Sequence, residues 1–431
     1  MNDAPDHRLV IVVRADPVIC GHSVEARNLA ETALQRGFDE VRVVTWPIER
    51  LQEAGLPLKP LEHVLPYSEG IHVERPAPVG DYKVPDGRYV AGITGRLVEL
   101  FTDGVPTVCL SLYLSPHMIA VTDALAAARM TGLPVNVTTI AEAVGSDVTN
   151  VVRSCVERGE FGAAAHLLGA YLSQDHAVAV SEYTRDLIVE EAERLDLLRG
   201  TDFADRLRAK VAISYPAIDT GQYLDLDDGE IDARLAERGL EREGYILYLS
   251  RLARAKGVDD LIEGFERSGA AGTHTLVIAG RGPEAQELRE QAAASPVAAR
   301  IRFLDDVGDG EKSFLMAGSA AYALPTKPRP EFVETFGIAL AESMLAGGGP
   351  VITTVTGGVG EAVGDAAFIV PVDDPDAIAA AIDGAVALPS EERARWRHRA
   401  REHALQFDRG VVFDRLFAAL PADRRPGVPV G

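Results

Sequence analysis

A buried strand followed by an amphipathic helix recurs along the chain, and this alternation limits the fold more than any other feature. In the first half, the strand pattern RLVIVVRAD precedes the helical pattern SVEARNLAETALQRG and the strand VRVVTW. The alternation restarts later with YILYLSRL, VDDLIEGFERSG and HTLVIAGRG. Strand–helix–strand units form parallel sheets covered by helices. The 431 residues therefore predict an α/β chain of two doubly wound, Rossmann-like domains.

Two stretches interrupt this alternation. Residues 56–87 are rich in proline and glycine, and we expect a long loop or a short hairpin that covers one face of the first domain. Its aromatic, histidine and lysine side chains are His63, Tyr67, His72, Tyr82 and Lys83. Residues 215–235 are polar and contain two acid clusters, which indicates the linker between the domains.

The charge distribution and the cysteines narrow the class of protein. Of the net charge of −22, residues 1–225 hold 20 Lys+Arg against 32 Asp+Glu, and the remainder holds 23 against 33. An acidic surface of this kind repels nucleic acid and anionic lipid, although a local basic pocket can still bind phosphate. Three scattered cysteines indicate neither a disulfide framework nor a metal site. No signal peptide or membrane span is expected, so we predict a cytoplasmic protein.

Two glutamates stand eight residues apart in EFVETFGIALAESMLAGGGP. Glu334 precedes, and Glu342 lies within, a helical pattern that we expect to begin near Thr335–Phe336 and to end at Gly347. Eight helical residues span about 12 Å, which is too far to share a proton but suits the two ends of a nucleotide sugar. Gly337 would let a ligand approach the N–H groups of the helix start, where anions bind. A solvated helix face is the alternative.

Cations follow the first strand of the second domain. Arg251 comes directly after this strand, and Lys256 precedes a glycine and a helix. Two cations beside a helix start can neutralise a diphosphate and stabilise a nucleoside diphosphate as it leaves. Arg254 is a third cation, and an exposed basic loop is the alternative. The next strand runs into a glycine turn that consists of Gly280, Arg281 and Gly282. This turn either contacts the base or ribose of a nucleotide or is only structural.

Polar residues also follow the strands of the first half. Gly21 opens the turn before the first helix, and His22 and Ser23 come next, where they contact phosphate or acceptor or simply cap the helix. His117 follows one later strand and Glu142 another. Ligands bind at the carboxyl ends of the strands in such sheets, so these residues are candidates for the acceptor side.

Together these motifs resemble the retaining glycosyltransferases of family 4 (glycosyl transferase group 1), which have the GT-B fold of two Rossmann-like domains facing a central cleft. SRLARAKGVDDLI is similar to the family's glycine–arginine…lysine–glycine segment, with Ser250 in the glycine position. ETFGIALAE resembles its E-x7-E motif, and GRGPE and GGVGEAV stand in their usual places. The likeness is specific over residues 244–375 and weaker in the first half.

The resemblance implies roles for individual residues. Arg251 and Lys256 would bind the diphosphate of a nucleotide sugar, Glu334 would hold its sugar and Glu342 its ribose. Further donor contacts would come from Gly21, Phe336, Gly337 and Ile338. The family's mechanism retains the anomeric configuration, and it needs neither an essential metal nor a cofactor beyond the nucleotide sugar.

The sequence departs from the family pattern mainly on the acceptor side. Cys20 stands where a second glycine is common, and Ala141 stands where many members have a histidine. His22, His117 and Glu142 are the candidates to take the place of that histidine.

The same resemblance sets the expected domain boundaries. They are an acceptor-side domain at 1–222, a nucleotide-sugar domain at 223–404, a closing helix at 405–420 that packs back on the first domain, and a disordered tail at 421–431.

The sequence thus predicts a bacterial glycosyltransferase that moves a hexose-type sugar from a UDP- or GDP-sugar to a small soluble acceptor, whose pocket residues 56–90 would shape. We expect no nucleic acid or membrane partner, and an oligomer is possible. A nucleotide-sugar epimerase or a sugar phosphorylase of the same architecture is one alternative. A catalytically silent protein that binds sugar nucleotides is the other, and the missing histidine favours it.

Overall fold

The structure, a computed structural model, describes residues 5–80, 85–330 and 332–425. The chain divides into two compact units. Unit 1 comprises Met1–Ala217 and Arg409–Gly431, and unit 2 comprises Ile218–Asp408.

Unit 1 contains a seven-stranded sheet in which every pair of neighbouring strands is parallel. Its strands are β1 (Arg8–Val12), β2 (Glu40–Val44), β3 (Ile71–Glu74), β4 (Thr107–Leu112), β5 (Val137–Ala143), β6 (His176–Ala179) and β7 (Val211–Ile213). Their order across the sheet is β3-β2-β1-β4-β5-β6-β7. This is the predicted doubly wound arrangement, in which the chain starts at the centre and builds outward in both directions.

Helices cover both faces of this sheet. In the described part of unit 1 they are α1 (Gly21–Gln35), α2 (Ile48–Glu53), α3 (Pro85–Thr102), α4 (Ile119–Met130), α5 (Ser154–Glu157), α6 (Phe161–Ser173), α7 (Glu182–Arg199) and α8 (Phe203–Lys210). One more helix of unit 1, Arg409–Ala418 near the end of the chain, packs against α1. It follows unit 2 in the sequence and is labelled α18 below. Two wider π-type turns, Leu114–Met118 and Val148–Arg153, follow β4 and β5.

Unit 2 contains a six-stranded sheet that is also parallel throughout. Its strands are β8 (Tyr245–Leu249), β9 (Thr275–Ala279), β10 (Ile301–Leu304), β11 (Ala321–Leu324), β12 (Val351–Thr353) and β13 (Ala367–Ile369), in the order β10-β9-β8-β11-β12-β13. The helices are α9 (Gly221–Leu224), α10 (Asp228–Glu237), α11 (Val258–Arg267), α12 (Ala285–Ala294), α13 (Asp309–Gly318), α14 (Ile338–Ala346), α15 (Val359–Val363), α16 (Pro375–Val386) and α17 (Ser390–Ala404). The last helix, α18 (Arg409–Ala418), belongs to unit 1.

The central strand of unit 1 shows why helices cover both faces of the sheet. Leu9 and Ile11 of β1 enter the hydrophobic cluster that also contains residues of α1 and α18. Val10 and Val12 enter the opposite cluster, with residues of α3 and α4. Because side chains alternate between the faces of a strand, burial on both faces requires an unbroken apolar run. LVIVV, residues 9–13, is such a run.

Two predictions about the interrupting stretches are wrong. Part of the 56–87 stretch is neither loop nor hairpin, because Ile71–Glu74 forms β3 and pairs parallel with β2. Because an edge strand tolerates exposed polar residues, the sequence of β3 lacks the apolar run by which the other strands were predicted. The change from unit 1 to unit 2, between Ala217 and Ile218, does fall inside the predicted linker at 215–235. Most of that stretch is nevertheless not a linker, because it contains α9 and most of α10, and α10 packs on α13 within unit 2. Tyr82 and Lys83 lie outside the described residues.

The end of the chain is only partly described. Ala422–Arg424 forms a short 3-10 turn, and the Arg425 side chain donates to the carbonyl oxygens of Leu420 and Ala418. This order contradicts the predicted disorder at the start of the tail. Residues 426–431, for which disorder was also predicted, lie outside the described residues.

Candidate functional site

Each sheet reverses its strand order once, between β1 and β4 in unit 1 and between β8 and β11 in unit 2. The loops that leave the carboxyl ends of such a strand pair run to opposite faces, and the crevice between them is where α/β sheets bind ligands. The predicted residues of unit 2 follow β8, β9 and β11, and those of unit 1 follow β1 and β4 or end β5.

Lys256 and Glu334 form a buried ion pair at the crevice of unit 2. Lys256 ends a 3-10 turn after β8, Glu334 lies in the loop after β11, and each residue is 9% exposed. The ring centroid of Phe332 lies 5.3 Å from Lys256 Nζ and 5.9 Å from the guanidinium carbon of Arg251. The structure therefore brings Arg251 and Lys256 together beside one aromatic ring, with Glu334 paired to Lys256.

The helix that carries Glu342 begins at Ile338, so the predicted start near Thr335–Phe336 is wrong. The cause is Gly337, whose φ of 103° is left-handed and cannot belong to a right-handed helix. Glu334 is thus outside the helix, and helical rise does not set its distance from Glu342. The start of α14 has no side-chain cap, which leaves backbone N–H groups available to an anion.

The same short segment also contributes to the core. The ring of Phe336 is buried and packs edge-on against Phe407, with centroids 4.9 Å apart. Phe336 can therefore offer a ligand only its backbone, as the resemblance implies. At the far end of α14, the predicted stop at Gly347 is confirmed, since Gly347 is the left-handed C-cap.

Glu342 has a cationic partner that the sequence did not suggest. Lys312 Nζ of α13 lies 2.7 Å from Glu342 Oε1, and both side chains are nearly inaccessible. Burial alone would lower the pKa of Lys312, but the charge of Glu342 and its hydrogen bond outweigh burial and raise this pKa. The buried ring of Tyr223 lies 5.7 Å from Lys312 Nζ, and burial, followed by the nearby charge of Glu342, raises the pKa of its hydroxyl well above the usual value. Lys312 thus pairs with Glu342 in the absence of a ligand.

The glycine turn after β9 has a structural cause. A Cβ at Gly280 or at Gly282 would lie 2.0 Å from the carbonyl oxygen of Ser250 or of Leu252, respectively. The Leu252 amide donates to the Arg281 carbonyl at 2.9 Å, and the Arg281 side chain donates to the Asp305 carbonyl. The glycines are therefore required to join this turn to the loop after β8, which carries Arg251 and Lys256.

In unit 1, Tyr113 is the centre of a group of rings at the crevice. His22 and His117 meet its ring edge-on with centroids 6.1 Å and 5.5 Å away, and the Arg14 guanidinium lies 5.0 Å from it. Burial, and then the charge of Arg14, lower the pKa of His22 to about 4 and the pKa of His117 well below its usual value. Both imidazoles are therefore neutral at physiological pH.

The ring nitrogens of this group lack protein partners. Neither nitrogen of His117 has a hydrogen-bond partner within the described residues, nor does His22 Nδ1. Tyr113 itself has a φ of 120°, which is unusual for a residue with a side chain, and its hydroxyl accepts from Ser146. Strained backbone and unpartnered buried polar atoms are both features of binding sites.

Glu142 lies at the end of β5 and is fully buried, and neither of its carboxyl oxygens has a partner within the described residues. Burial raises its pKa well above the usual value, and the nearby charges of Glu25 and Asp147 raise it further. Burial likewise raises the pKa of Glu25 to about 8, against a weak hydrogen bond of 3.4 Å from the Ala217 amide. Glu25 is thus near enough for its charge to raise the pKa of Glu142, and neither carboxyl group forms an ion pair within the described residues.

Asp147 differs from its acidic neighbours because the backbone satisfies it. It accepts from the amides of Leu114, Val144, Gly145 and Val148 at 2.9 to 3.1 Å. Burial still raises its pKa, to about 6. Asp147 therefore fixes the turn after β5 and is a structural residue.

Sequence reasoning missed several members of both crevices. They are Arg14, Glu25, Tyr113, Tyr223 and Lys312. Only Tyr113 carried a usable signal, since it directly follows a strand. Glu25 and Lys312 lie inside ordinary helical patterns, and only the fold shows that both are buried.

With this geometry in place, comparison with known proteins is decisive for unit 2. The family model of glycosyl transferases group 1 matches residues 232–403. This segment holds both glutamates, both lysines and the glycine turn described above.

Curated relatives match the chain over part of its length. A phosphatidyl-myo-inositol mannosyltransferase of Mycolicibacterium smegmatis is 34% identical over 203 residues, covering 46% of this chain and 50% of the relative. A D-inositol 3-phosphate glycosyltransferase of Salinispora tropica is 29% identical over 241 residues, covering 51% and 49%. The chain thus spans about half the length of the curated relatives it matches.

Solved structures match nearly the whole chain and confirm the predicted GT-B fold of two Rossmann-like domains. Anabaena HepE in complex with UDP and glucose has a TM-score of 0.68 at 17% identity, covering 96% of this chain and 98% of HepE. The lipopolysaccharide glycosyltransferase WaaG has a TM-score of 0.63 at 16% identity, covering 96% and 100%. At such low identity the likeness concerns the fold alone.

The described residues show neither a metal-binding cluster nor a membrane-spanning helix. Within 5–80, 85–330 and 332–425, no group of three or more His, Cys, Asp or Glu side chains is placed to hold a metal ion. Over the same residues, none of the helices combines the length and the apolar character needed to cross a membrane.

Proposed function

We propose that this chain is a retaining glycosyltransferase of family 4 that transfers a hexose-type sugar from a UDP- or GDP-sugar to a small soluble acceptor. The observation that carries the proposal is the pair of buried Lys–Glu contacts in the group 1 domain. Both glutamates of the E-x7-E motif are buried, and each is held by a lysine, Lys256 or Lys312. The relatives that act on inositol-containing acceptors and the HepE complex with UDP and glucose support this chemistry.

In this proposal the donor lies along the crevice of unit 2. Arg251 and Lys256 bind the diphosphate, and their charge stabilises the leaving nucleoside diphosphate. Glu334 accepts hydrogen bonds from the sugar hydroxyls, and Glu342 accepts from the ribose. Additional donor contacts come from Gly21, Gly280, Arg281, Gly282 and the backbone of Phe336, Gly337 and Ile338.

The Lys256–Glu334 contact adds a physical reason for this assignment. A buried ion pair contributes little stability, because desolvation of both charges offsets their attraction. It is useful where a substrate supplies new partners, since the diphosphate attracts Lys256 and the sugar hydroxyls donate to Glu334. Donor binding then replaces one set of charge-assisted contacts with another.

We place the acceptor in unit 1, near His22, His117 and Glu142. Their unpartnered atoms are available to acceptor hydroxyls, and one of these groups takes the role of the family's histidine. The net charge of −22 favours a soluble acceptor over an anionic membrane, although the relatives include an enzyme named for phosphatidyl-myo-inositol. We also propose that the protein is bacterial and cytoplasmic, and that it uses no metal and no other cofactor.

The first experiment is thermal stabilisation of the purified protein by UDP, GDP, ADP and dTDP. A nucleotide at about 100 times its dissociation constant adds roughly 2.7 kcal/mol of stability to the protein that binds it. One nucleotide should shift the unfolding temperature clearly, which identifies the base. If none of the four shifts it, the donor crevice is wrongly assigned.

The second experiment measures sugar transfer with the matching nucleotide sugar. Glu334→Ala and Lys256→Ala should each lower transfer by about 100-fold or more, as the loss of charge stabilisation does elsewhere. Glu392→Gln removes an exposed acid of α17 and serves as the control. Near-normal transfer by both site variants would refute the assignment. Nucleotide binding without turnover favours a silent binding protein, and turnover without an acceptor favours an epimerase.

A further inference from the structure

The acceptor side of unit 1 contains an unusual number of buried polar groups that the protein leaves unpartnered. Glu142 is 0% exposed, His117 1% and Ser23 1%, and all the polar side-chain atoms of these three residues lack partners within the described chain. Glu25, 2% exposed, is held only by the long contact with the Ala217 amide. Buried polar atoms are normally hydrogen-bonded, because each unsatisfied one costs about 1–3 kcal/mol.

We infer that this site takes a hydroxylated amine as acceptor, with the ammonium group against Glu25 and Glu142 and the hydroxyls against His22 and His117. The inference rests on the proposed function and adds to it the chemical class of the acceptor. It is carried by the unpartnered atoms and by the distribution of charge around them.

The two carboxyl groups need a cation that the protein does not provide. Neither Glu25 nor Glu142 forms an ion pair within the described residues, and the other titratable groups facing them are Asp147 and Tyr171, neither of which is cationic. Without a ligand, the carboxyl groups remain neutral by keeping their protons, as their raised pKa values indicate. An ammonium group would stabilise a carboxylate there through a charge-assisted hydrogen bond.

A metal ion is a poorer occupant. Divalent cations require several ligands, and the described residues contain no group of three His, Cys, Asp or Glu side chains placed to hold one. An ammonium group needs only two or three acceptors, which Glu25 and Glu142 provide.

The group of rings around Tyr113 is accompanied by a positive charge. Arg14 lies against Tyr113 and lowers the pKa values of both histidines, so a cation there would be repelled. The neutral rings of His22 and His117 can donate to or accept from hydroxyl groups. The charges therefore favour an ammonium group at the carboxyl groups and hydroxyls at the imidazoles. A phosphate beside Glu25 and Glu142 would be repelled.

The test is isothermal titration calorimetry at about pH 6.5, below the raised pKa of Glu25. The probes are 2-deoxystreptamine, an aminocyclitol that is protonated at this pH, together with neutral myo-inositol and anionic myo-inositol 1-phosphate. When the amine binds, one carboxylic acid ionises, its proton passes to the buffer, and the carboxylate pairs with the ammonium group. Titrations in two buffers with different heats of ionisation count this proton.

We expect about one proton released per bound amine and none with myo-inositol. Glu25→Gln together with Glu142→Gln should abolish the release and weaken amine binding at least 10-fold, whereas Glu157→Gln, which alters an exposed acid of α5, should change neither. Each single variant should weaken amine binding by less, and it provides the comparison in case the double variant does not fold. Tighter binding of myo-inositol 1-phosphate than of the amine, or amine binding without proton release, would overturn the inference.

This result can be separated from failure of the proposed function. Nucleotide binding depends on unit 2 and is measured by thermal shift on the same preparations. If a nucleotide binds and the amine does not, the acceptor class is wrong while the donor assignment stands. If no nucleotide binds but the amine releases a proton, the site in unit 1 is real and the glycosyltransferase proposal is wrong.

Discussion

Replacing Glu25 by glutamine should change how the stability of unit 1 depends on pH. The pKa of Glu25 is about 8 in the folded protein, against an ordinary value of 4.5, because burial disfavours its charged form. The folded protein therefore holds a proton that the unfolded chain releases. The contribution of this proton to the free energy of unfolding is fully present below about pH 4.5 and is lost as the pH rises toward 8.

The histidines of the same site act in the opposite sense. His22 has a pKa of about 4 in the folded protein and His117 also has a lowered one, against an ordinary value of 6.5. Their contribution is present above pH 6.5 and is lost as the pH falls toward 4. The histidines titrate in wild type and in Glu25→Gln alike, so the difference in stability between these two proteins between about pH 6.5 and 8 reports Glu25.

The size of the effect follows from the width of this window. One group contributes about 1.4 kcal/mol for each pH unit between its two pKa values. Over the roughly 1.5 units available, wild-type protein should lose about 2 kcal/mol more unfolding free energy than Glu25→Gln. The glutamine keeps an oxygen that can accept from the Ala217 amide, so the comparison mainly isolates the proton.

The two tryptophans make unit 1 measurable by itself. Trp46 lies in unit 1, with its ring centroid 4.8 Å from that of His117, and Trp396 lies in unit 2 against Phe368. In a Trp396→Phe background, urea unfolding followed by fluorescence reports unit 1. Glu157→Gln is the control and should follow the wild type. Parallel curves for wild type and Glu25→Gln between pH 6.5 and 8 would refute the reasoning.

Two further predictions concern the stability of unit 2. It is measured by the fluorescence of Trp396 during urea unfolding, after Trp46 has been replaced by phenylalanine. Lys312→Gln leaves the Glu342 carboxylate buried without its cation, so unit 2 should lose about 3 kcal/mol and bind nucleotide more weakly, with partial rescue by Lys312→Arg; unchanged stability would contradict the pairing. Gly349→Ala should destabilise unit 2 by at least about 3 kcal/mol, because the new Cβ would lie 1.6 Å from the Ala320 carbonyl oxygen. Gly310→Ala, which meets nothing within 4 Å inside a helix, should be neutral or stabilising.

The sequence was sufficient for the fold because parallel sheets leave a strong local signal. A strand buried on both faces is nearly apolar throughout, as β1 is after Arg8, and a helix of matching length must return the chain to the same edge. The misread segments are those where this signal weakens. β3 is an edge strand whose residues are partly exposed, and α10 is an exposed helix whose acids resembled a linker.

The site was predicted only where a local motif carried it. Glu334 and Glu342 follow a strand and lie around a helix start, so their type and position indicate a ligand. Their lysine partners are set by the fold, since Lys312 is 30 residues from Glu342 and Lys256 is 78 residues from Glu334. The local sequence indicates neither these two lysine–glutamate pairs nor the burial of Glu25. Lys256, Lys312 and Glu25 all occupy ordinary positions in helices or turns.

The two crevices treat their buried acids differently, and this difference bears on how each would bind a ligand. In unit 2, Glu334 and Glu342 are neutralised by lysines before any ligand arrives, so a nucleotide sugar would meet fixed and already charged groups. In unit 1, Glu25 and Glu142 have no such partners and keep protons instead. A donor site of the first kind binds with little change of protonation near neutral pH. An acceptor site of the second kind exchanges a proton for its ligand, so its affinity for an amine must rise with pH until the carboxyl groups are ionised in the free protein.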